Sequence, residues 1–560
     1  YNLGWSCLMQ DKTDEAYDAF FKSAWNAAWQ DAAYYNLAAI DCRRGNFKKA
    51  LDLIDRSLVR NWHHHKARQL KVSILRHLGR KEEAFDLIAE SLKIDRFNMG
   101  CRFEQYLLTG DDHVLKEMQR LMHGAAHVYI EYALDFAQAG LYDEAINLLE
   151  GYAATQSSVY PMVHYALGYC HSRKGDTGKA LEYYKKAEQD DHSYCFPNRI
   201  EEVLVLQDAM KENHEACAKA AYALGNFWYA ARQYDNAIAC WEASAAIAPA
   251  FPTVWRNLSL AYYNKRNDPQ KAVETLEKAY RLDESDARIL MELDQLYKRL
   301  GRPQAERLAF LEAHPAETES RDDLSIERIT LYNQLGRYEE AKALIAARKF
   351  HPWEGGEGKI MGQYTICHVE LAKIALREHR YADALALLQA TDQYPYNLGE
   401  GKLINAEEND IWYYKGLAYR GLGDEENAKL WLHKATQGSA EPQQAFFYND
   451  AQPDKIFYQG LAWRALGEEG KARGRFNKLI KHGEKHLFDH CRIDYFAVSL
   501  PDLAIWEDNL DKRNAIHCNY VMGLGYLGLE DRVHAIEYLD KARALDINHQ
   551  GAQIHRELCE

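Results

Sequence analysis

A unit of 34 residues recurs along this chain and limits the folds that are open to it. LGWSCLMQDKTDEAYDAFFKSA, which begins at Leu3, aligns with LAAIDCRRGNFKKALDLIDRSL, which begins at Leu37. Each stretch opens with Leu and a small residue, passes through polar turn residues, and then places an alanine four residues before a large apolar side chain. Thirteen small positions follow this pattern: Ala16, Ala50, Ala84, Ala145, Ala180, Ala237, Ala272, Ala305, Ala341, Ala384, Ala428, Ala472 and Ala535.

The spacing of apolar residues within each unit predicts a pair of helices. Apolar and small residues fall at steps of i, i+3, i+4 and i+7, which lie on one face of a helix. Polar, Gly-bearing turns such as RRGN and RKGD separate the two helices. Because one helical hairpin cannot cover its own apolar face, neighbouring hairpins must stack. The sequence therefore predicts an all-α fold, an α-solenoid of about thirteen helical hairpins that form a superhelix.

The repeating unit resembles the tetratricopeptide repeat. The Leu-Gly, aromatic, alanine, large and small positions of that family are matched at Leu224, Gly225, Trp228, Ala237, Trp241 and Ser244. The resemblance covers nearly the whole chain and implies a right-handed superhelix. It also implies that Ala237 and Ala428 are buried where paired helices touch.

Changes in repeat length divide the chain into four segments. The interval between successive alanines grows to 61 and 57 residues in two early places, and DDHVLKEMQRLMHG (111–124) is predicted to be a degenerate helix there. From Ala341 onward the intervals are 43, 44, 44 and 63 residues. We expect regular repeats in the segments 1–100 and 221–340. The segment 101–220 is expected to mix degenerate and regular repeats, and the segment 341–560 is expected to contain elongated repeats.

Composition excludes some partners and favours a compartment. The net charge of -14 disfavours a nucleic-acid partner. No run of 18 apolar residues is present, so we expect no membrane-spanning helix. The eleven cysteines form no CxxC pair, which favours reduced thiols and a cytoplasmic protein. Tyr1 is not a natural start, and we expect the chain to be part of a longer protein.

The late repeats carry their extra residues in one place, between the second helix of a unit and the next first helix. Per-repeat insertions of this kind line up on one edge of a solenoid. All four insertions contain aromatic residues, Gly or Pro, and carboxylates beside a lysine. They are HPWEGGEGK (351–359), YPYNLGEGKLINAEEND (394–410), EPQQAFFYNDAQPDK (441–455) and HGEKHLFDHCRIDYFAVSLPDLAIWEDNLDK (482–512).

Two interpretations of these loops compete. In the first, they are structural plugs in which an aromatic side chain caps the preceding groove and Gly adopts positive φ. In the second, exposed aromatic side chains stack on a ligand while the carboxylates bind it by hydrogen bonds. If the insertions form one functional edge, Glu357 and Glu400 are expected to be placed alike relative to their helices. The candidate ligand-binding residues are Trp353, Glu354, Glu357, Lys359, Tyr396, Glu400, Lys402, Asp410, Trp412, Asp454, Asp494 and Tyr495.

A second resemblance concerns the C-terminal part, from about Ala287 to Gln550. HPWEGGEGK, YPYNLGEGK, YNDAQPDKIFYQGLA and RNAIHCNYVMGLGYLGL are similar to stretches of large bacterial tetratricopeptide-repeat proteins. In those proteins the repeats follow an N-terminal β-rich domain of unknown function. The resemblance implies that such a domain is a partner of these repeats and suggests a link to carbohydrate metabolism.

Signatures of catalysis or metal binding are weak. HHH at His63–His65 cannot easily direct three adjacent imidazoles at one ion. The sequence contains no HExxH, phosphate-loop or GxSxG motif. Acidic residues at helix starts, such as Asp410 and Asp454, are more simply N-caps than a glycosidase pair. We therefore predict no catalytic residue, no metal and no cofactor.

Two functions remain open at this stage. The favoured one is a scaffold that binds a protein, a peptide or a partner domain through its concave face and its C-terminal loop edge. The alternative is a carbohydrate-binding or carbohydrate-processing protein whose site is built from the four insertions. The oligomeric state is not predicted.

Overall fold

Helices form the regular structure of the chain, which is represented by a computed structural model. The structure describes residues 1–353, 355–404, 406–444, 450–492 and 505–560. Within these ranges it contains 31 α-helices, two short 3₁₀ helices and no β-strand. The predicted all-α solenoid fold is confirmed. The chain forms two compact units, residues 1–258 and 259–560; the four-segment division stays a prediction.

The first unit contains fifteen complete α-helices, most of which pack in consecutive pairs. The predicted degenerate helix is present as the eighth of them, and a single helix fills the long interval after Ala180. The helices are α1 (Asn2–Leu8), α2 (Thr13–Ser23), α3 (Gln30–Arg43), α4 (Phe47–Arg60), α5 (His65–His77), α6 (Lys81–Ile94), α7 (Met99–Thr109), α8 (Asp112–Met122), α9 (Ala126–Gln138), α10 (Tyr142–Ala153), α11 (Pro161–Arg173), α12 (Thr177–Gln189), α13 (Ile200–Glu212), α14 (Ala218–Ala230) and α15 (Tyr234–Ile247).

The next helix contains the boundary between the units, and the second unit continues with hairpins of increasing loop length. Four hairpins, α23–α24, α25–α26, α27–α28 and α29–α30, matter for the site described below. The helices are α16 (Pro252–Arg266), α17 (Pro269–Leu282), α18 (Ala287–Arg299), α19 (Gln304–Glu312), α20 (Pro315–Ser320), α21 (Asp322–Gln334), α22 (Tyr338–Ala346), α23 (Lys359–Arg377), α24 (Tyr381–Gln389), α25 (Asn409–Gly421), α26 (Glu425–Ala435), α27 (Pro453–Ala465), α28 (Glu469–His486), α29 (Leu510–Gly528), α30 (Arg532–Leu545) and α31 (Gln550–Glu557).

The alanines that define the repeat lie where paired helices touch. Twelve of the thirteen are completely buried, among them Ala237 and Ala428, as predicted. The prediction was wrong at Ala305, which is exposed. The buried side of α19 instead carries Arg307 and Leu308. Arg307 turns inward because its guanidinium binds the Asp294 carboxylate at 2.6 and 3.0 Å.

Glycine on the first helix of several hairpins makes room for a large side chain on the second helix. A Cβ added at Gly225 would lie 2.4 Å from the indole ring of Trp241. The same conflict would arise between Gly460 and the ring of Phe476, at 2.3 Å. Since real Cβ atoms do not approach other atoms so closely, these glycines fix the distance between the paired helices.

Within the second unit, a C-terminal segment packs against α16 and α18. Trp506 is completely buried, and its Nε1 donates to the backbone oxygen of Glu292 at 3.2 Å. The Asn264 carboxamide binds the same segment twice: its Nδ2 donates to the Ile505 carbonyl at 2.8 Å, and its Oδ1 accepts from the Glu507 N–H at 2.9 Å. The carboxamide therefore holds the backbone on both sides of Trp506.

The turn before α31 makes a second contact of this kind, with α18, α19 and α21. The buried Arg307 donates to the Asn548 side chain at 3.2 Å, and Gln334 donates to the Asn548 carbonyl at 2.8 Å. Asn548 in turn donates to the backbone oxygen of Lys298 at 3.2 Å. Buried polar groups that pair in this way strengthen a contact. The chain therefore occupies this part of the second unit with its own C-terminal segments.

Replacing Ala237 or Ala428 by Leu is expected to destabilise the protein by about 1–3 kcal/mol, because the added atoms overpack a filled helix contact. Denaturant midpoints measure the effect. Ala239 lies on the same helix as Ala237 but is exposed, so Ala239→Leu is the matched control and should leave the midpoint unchanged. Equal midpoints for Ala237→Leu and Ala239→Leu would contradict the assigned register.

Replacing Trp506 by Ala is expected to lower the free energy of unfolding of the second unit by about 3–5 kcal/mol, because it empties a fully buried site. Phe488→Ala is the control, since that ring is 91% exposed and its loss should change the free energy by less than about 0.5 kcal/mol. Thermal or denaturant unfolding followed by circular dichroism measures both. Similar stabilities for the two variants would show that the C-terminal segment is not anchored by Trp506.

Candidate functional site

A cavity of about 940 Å³ lies within the second unit. This volume is at the upper end of the range for ligand pockets, about 300–1,000 Å³. Its described walls are one face of α23, α25, α27 and α29, part of α31, and the loops that precede α25 and α27. The lining residues of α23 lie on a single face of the helix, because they follow Gly362 at three, four and seven positions: Thr365, Ile366 and Val369. The cavity is thus built on the first helices of four successive hairpins.

One lysine holds two carboxylates in the cavity wall. Lys455 Nζ lies 2.7 Å from the Asp410 carboxylate and 3.3 Å from that of Asp454. Although burial opposes the positive charge, the two carboxylates raise the pKa of Lys455. Asp410 and Asp454 stand in the first turns of α25 and α27, but neither caps its helix, so the predicted N-cap role was wrong. Their helix-start positions still suit them, because the helix dipole favours negative charge there.

Further carboxylates of the wall have partners of two kinds. Glu370 binds Lys373 at 2.8 Å on α23, and Glu408 binds Lys402 at 2.5 Å. Glu400 instead accepts the backbone N–H of Gly358 at 3.2 Å. Burial raises the pKa of Glu370, Glu400 and Glu408, although lysine charges oppose the shift at Glu370 and Glu408.

Two histidines of the wall are held neutral. Burial lowers the pKa of His517 and of His555 to about 4. His555 is only 4% exposed, and its Nδ1 donates to the Gly551 carbonyl at 2.8 Å. Its Nε2 therefore carries a lone pair, and this atom has no hydrogen-bond partner among the described residues. The rings of Tyr458 and Tyr520 lie against the imidazole, at 5.8 and 5.7 Å between centroids.

The two copies of the loop motif, residues 351–359 and 394–402, pack against each other. The N–H of Phe350 donates to the Asn397 carbonyl at 2.8 Å, and Phe350 and Leu398 are both 1% exposed. Gly399 has φ of +79°, and a Cβ there would lie 2.6 Å from the Phe350 carbonyl oxygen. Only glycine fits both the conformation and the close approach. The plug interpretation holds for these loops: Phe350 and Leu398 lie in a buried hydrophobic cluster, and the aromatic rings of Trp353 and Tyr394 pack against it.

The two motifs differ in their relation to the following helix. Lys359 is the first residue of α23, whereas Lys402 precedes the start of α25 by seven residues. Glu357 accepts the N–H of Gly355 within its own loop at 2.8 Å, while Glu400 reaches across to the other loop. The expectation that Glu357 and Glu400 are placed alike was therefore wrong, because the second copy packs on the first instead of starting a helix.

The candidate residues divide into three groups. Glu400, Asp410 and Asp454 line the cavity. Trp353, Glu357, Lys359, Tyr396, Lys402 and Trp412 are not among its described lining residues; Tyr396 is 88% exposed and the Trp353 ring covers Gly356. Glu354, Asp494 and Tyr495 lie outside the described residues. A ligand-binding role for any of the twelve remains a prediction.

Sequence reasoning missed most of the wall residues that lie on helices beyond the first turn. Glu370, Tyr458, Tyr520 and His555 belong to helix faces, where polar residues stand between apolar ones. On α29, Arg513, Ile516, His517 and Tyr520 line the cavity at steps of three, four and seven positions. A search for polar residues at these steps on the first helices would have found this signal.

Four further observations concern metal binding, membrane insertion and the cysteines. Among the described residues there is no group of three or more His, Cys, Asp or Glu side chains placed to hold a metal ion. His64, from the HHH stretch, caps α5 by accepting the Ala67 N–H at 3.2 Å. No helix in the described ranges is long and apolar enough to cross a membrane. All eleven cysteines are free thiols.

A family model of the tetratricopeptide repeat matches residues 132–194 and 369–442. These two stretches of the chain match the tetratricopeptide repeat. The first matched stretch runs from α9 to the loop after α12, and the second covers most of α23 through α26. The second stretch includes the parts of the cavity wall that lie on α25, on the second half of α23 and in the loop before α25. An N-terminal β-rich domain, which the second sequence resemblance implied, has no support from this match.

Several solved structures are similar to parts or all of the chain. MamA from Desulfovibrio magneticus RS-1 is 22% identical over 35% of this chain and 97% of its own, with a TM-score of 0.21. YrrB, described as a TPR protein with an unusual peptide-binding site, is 15% identical over 42% of this chain and 95% of its own, with a TM-score of 0.16. Cut9–Hcn1 of the APC/C is 12% identical over 100% of this chain and 95% of its own, with a TM-score of 0.25. Similarity at these levels carries no argument about what this chain binds.

The two sides of the second loop copy should respond differently to substitution. Leu398→Ala is expected to lower the free energy of unfolding by about 2–5 kcal/mol, because it removes a buried side chain from the contact with the first copy. Tyr396→Ala, two residues earlier, removes an exposed ring and should change it by less than about 0.5 kcal/mol. Denaturant unfolding measures both. A larger loss for Tyr396→Ala would contradict this arrangement of the loops.

Proposed function

We propose that this tetratricopeptide-repeat protein is a scaffold that binds a peptide segment of a partner protein in the cavity of the second unit. The observation that carries the proposal is the cavity itself, on one face of four successive first helices. Helices joined in hairpins hold their side chains more rigidly than loops do, so the cavity is largely formed before a ligand arrives. Pre-formed sites bind more tightly because less conformational entropy is lost on binding.

The composition of the cavity wall is suited to a peptide ligand. Ile366, Ile411 and Ile516 supply apolar surface for side chains, and carboxylates and imidazoles supply hydrogen-bond acceptors for N–H groups. The neighbouring region on α16, α18 and α21 is already occupied by the chain's own segments around Trp506 and Asn548. A partner would therefore enter the cavity and not that region. A partner domain of a longer chain is one source of such a segment.

A glycan is the second candidate ligand. The wall combines the rings of Tyr394, Tyr458 and Tyr520 with carboxylates, and sugars bind to aromatic faces bordered by such acceptors. The carboxylates of Asp410 and Asp454 both bind Lys455. This arrangement favours a site that binds a glycan over a catalytic acid–base pair. The same experiment separates the two ligands.

Gly362 offers a way to fill the cavity without disturbing the fold. It lies on the wall within α23, and a Cβ added there would meet no atom within 4 Å. Gly362→Phe is therefore expected to occupy the cavity while removing a glycine that costs about 1 kcal/mol in a helix interior. Gly474, inside α28, has equally open surroundings but is not among the lining residues, so Gly474→Phe is the matched control.

Binding of a peptide library and of a glycan panel is measured for the three proteins. We expect bound peptides to lose at least about tenfold in affinity for Gly362→Phe, because an added ring excludes the ligand, and to bind Gly474→Phe as they bind the parent. If no peptide binds, and glycans bind the parent and Gly474→Phe but not Gly362→Phe, the ligand is a glycan. Equal binding to both variants would show that the cavity is not the site.

A further inference from the structure

Negative charge dominates the wall of the cavity. Eight carboxylates line it, whereas Lys455 and Arg513 are the permanent cations among the described lining residues. Arg513 is also 3.2 Å from the Asp508 carboxylate, which does not line the cavity. A cleft lined by one sign of charge between low-dielectric walls concentrates the electrostatic potential inside it. The cavity therefore attracts positive charge and repels negative charge.

The pairing within the wall leaves this excess in place. Asp410 and Asp454 share the single charge of Lys455. Glu400 and Glu407 accept backbone N–H groups, from Gly358 and Ser439, at 3.2 and 2.8 Å. Glu370 and Glu408 have cations of their own, Lys373 and Lys402. A backbone N–H satisfies a lone pair but supplies no full positive charge, so Glu400, Glu407 and one of Asp410 and Asp454 have no cation of their own among the described residues.

A second observation, independent of the acidic residues, points to a hydrogen-bond donor in the ligand. His555 is buried on the cavity wall and neutral, and its Nε2 lone pair has no partner among the described residues. Buried polar atoms without a partner are rare in folded proteins and call for an explanation. A ligand that donates a hydrogen bond to Nε2 would give this atom a partner. The carboxylates of the wall also accept hydrogen bonds, so they favour the same kind of ligand.

We propose that the ligand of this cavity presents a positively charged group rich in N–H donors, an ammonium or a guanidinium, as on a lysine or arginine side chain of a basic peptide. The ammonium group has three donors and the guanidinium five, and neither has an acceptor. The aliphatic stem of such a side chain packs on apolar surface, which Ile366, Ile411 and Ile516 supply. The proposal rests on the proposed function, since it names the ligand chemistry of the same cavity.

The probes are two fluorescent peptides of one sequence that differ only in carrying Lys and Arg or, at the same positions, Glu. Spermidine serves as a free cation that lacks a peptide backbone. Binding to the full chain is followed by fluorescence anisotropy at low and at physiological ionic strength. We expect the basic peptide to bind, more weakly at the higher ionic strength because salt screens the attraction, and the Glu peptide not to bind.

Two variants test the cavity wall. Asp454→Asn removes one carboxylate and leaves Lys455 paired with Asp410, so the fold should persist; His555→Asn removes Nε2 but keeps a donor near the Gly551 carbonyl. Each substitution is expected to lower the affinity for the basic peptide about tenfold, because one charge-assisted hydrogen bond is lost. Asp383→Asn is the matched control: Asp383 is also in the first turn of its helix and paired with a cation, Arg380, but it is exposed and does not line the cavity.

The outcomes separate this proposal from the one on which it rests. Equal binding of the basic and Glu peptides, or equal effects of Asp454→Asn and Asp383→Asn in variants with unchanged melting, would overturn the cationic ligand. If only uncharged or acidic library peptides bind, and Gly362→Phe blocks them, the cationic ligand fails while the scaffold stands. If Gly362→Phe blocks no ligand, both fail. Displacement of the basic peptide by spermidine at similar concentration would assign the site to a small amine; otherwise the peptide is the ligand.

Discussion

The contact between a glycine on the first helix of a hairpin and a large side chain sixteen positions later fixes the geometry on which the rest of the structure depends. It occurs in six hairpins, for example between Gly225 and Trp241 and between Gly460 and Phe476. Because the large side chain fills the space over the glycine, the two helices can pair at only one rotation. Successive first helices then present equivalent faces, and in the second unit three helices with this contact, α25, α27 and α29, line one cavity together with α23.

Sequence periodicity was sufficient for the fold because this contact is local. The twelve buried alanines lie on helices that pack mostly against their neighbours in sequence, so spacing alone reveals them. Ala305 was misplaced because Arg307 turns the buried side of α19 toward Asp294 and the distant Asn548. Nothing in a repeat pattern shows a partner more than two hundred residues away.

The site was only partly predictable for a related reason. Glu400, Asp410 and Asp454 were found because insertions concentrate acidic residues near helix starts. The direction of a loop side chain, however, depends on what the loop packs against: Leu398 turns inward onto the first loop copy, and Tyr396, two residues away, is left in solvent. His555 and Tyr520 lie on helices whose apolar pattern resembles ordinary core. Only the assembled structure shows that their face borders a cavity.

Hydrogen–deuterium exchange tests whether the cavity of the second unit holds the proposed cationic ligand. Exchange of backbone amides is compared in the free protein and in the presence of saturating basic peptide. We expect slower exchange in α23, α25, α27, α29 and α31, which form the wall, and unchanged exchange in residues 1–258. Slower exchange confined to residues 1–258, or no change in the wall helices while the peptide is bound, would contradict it.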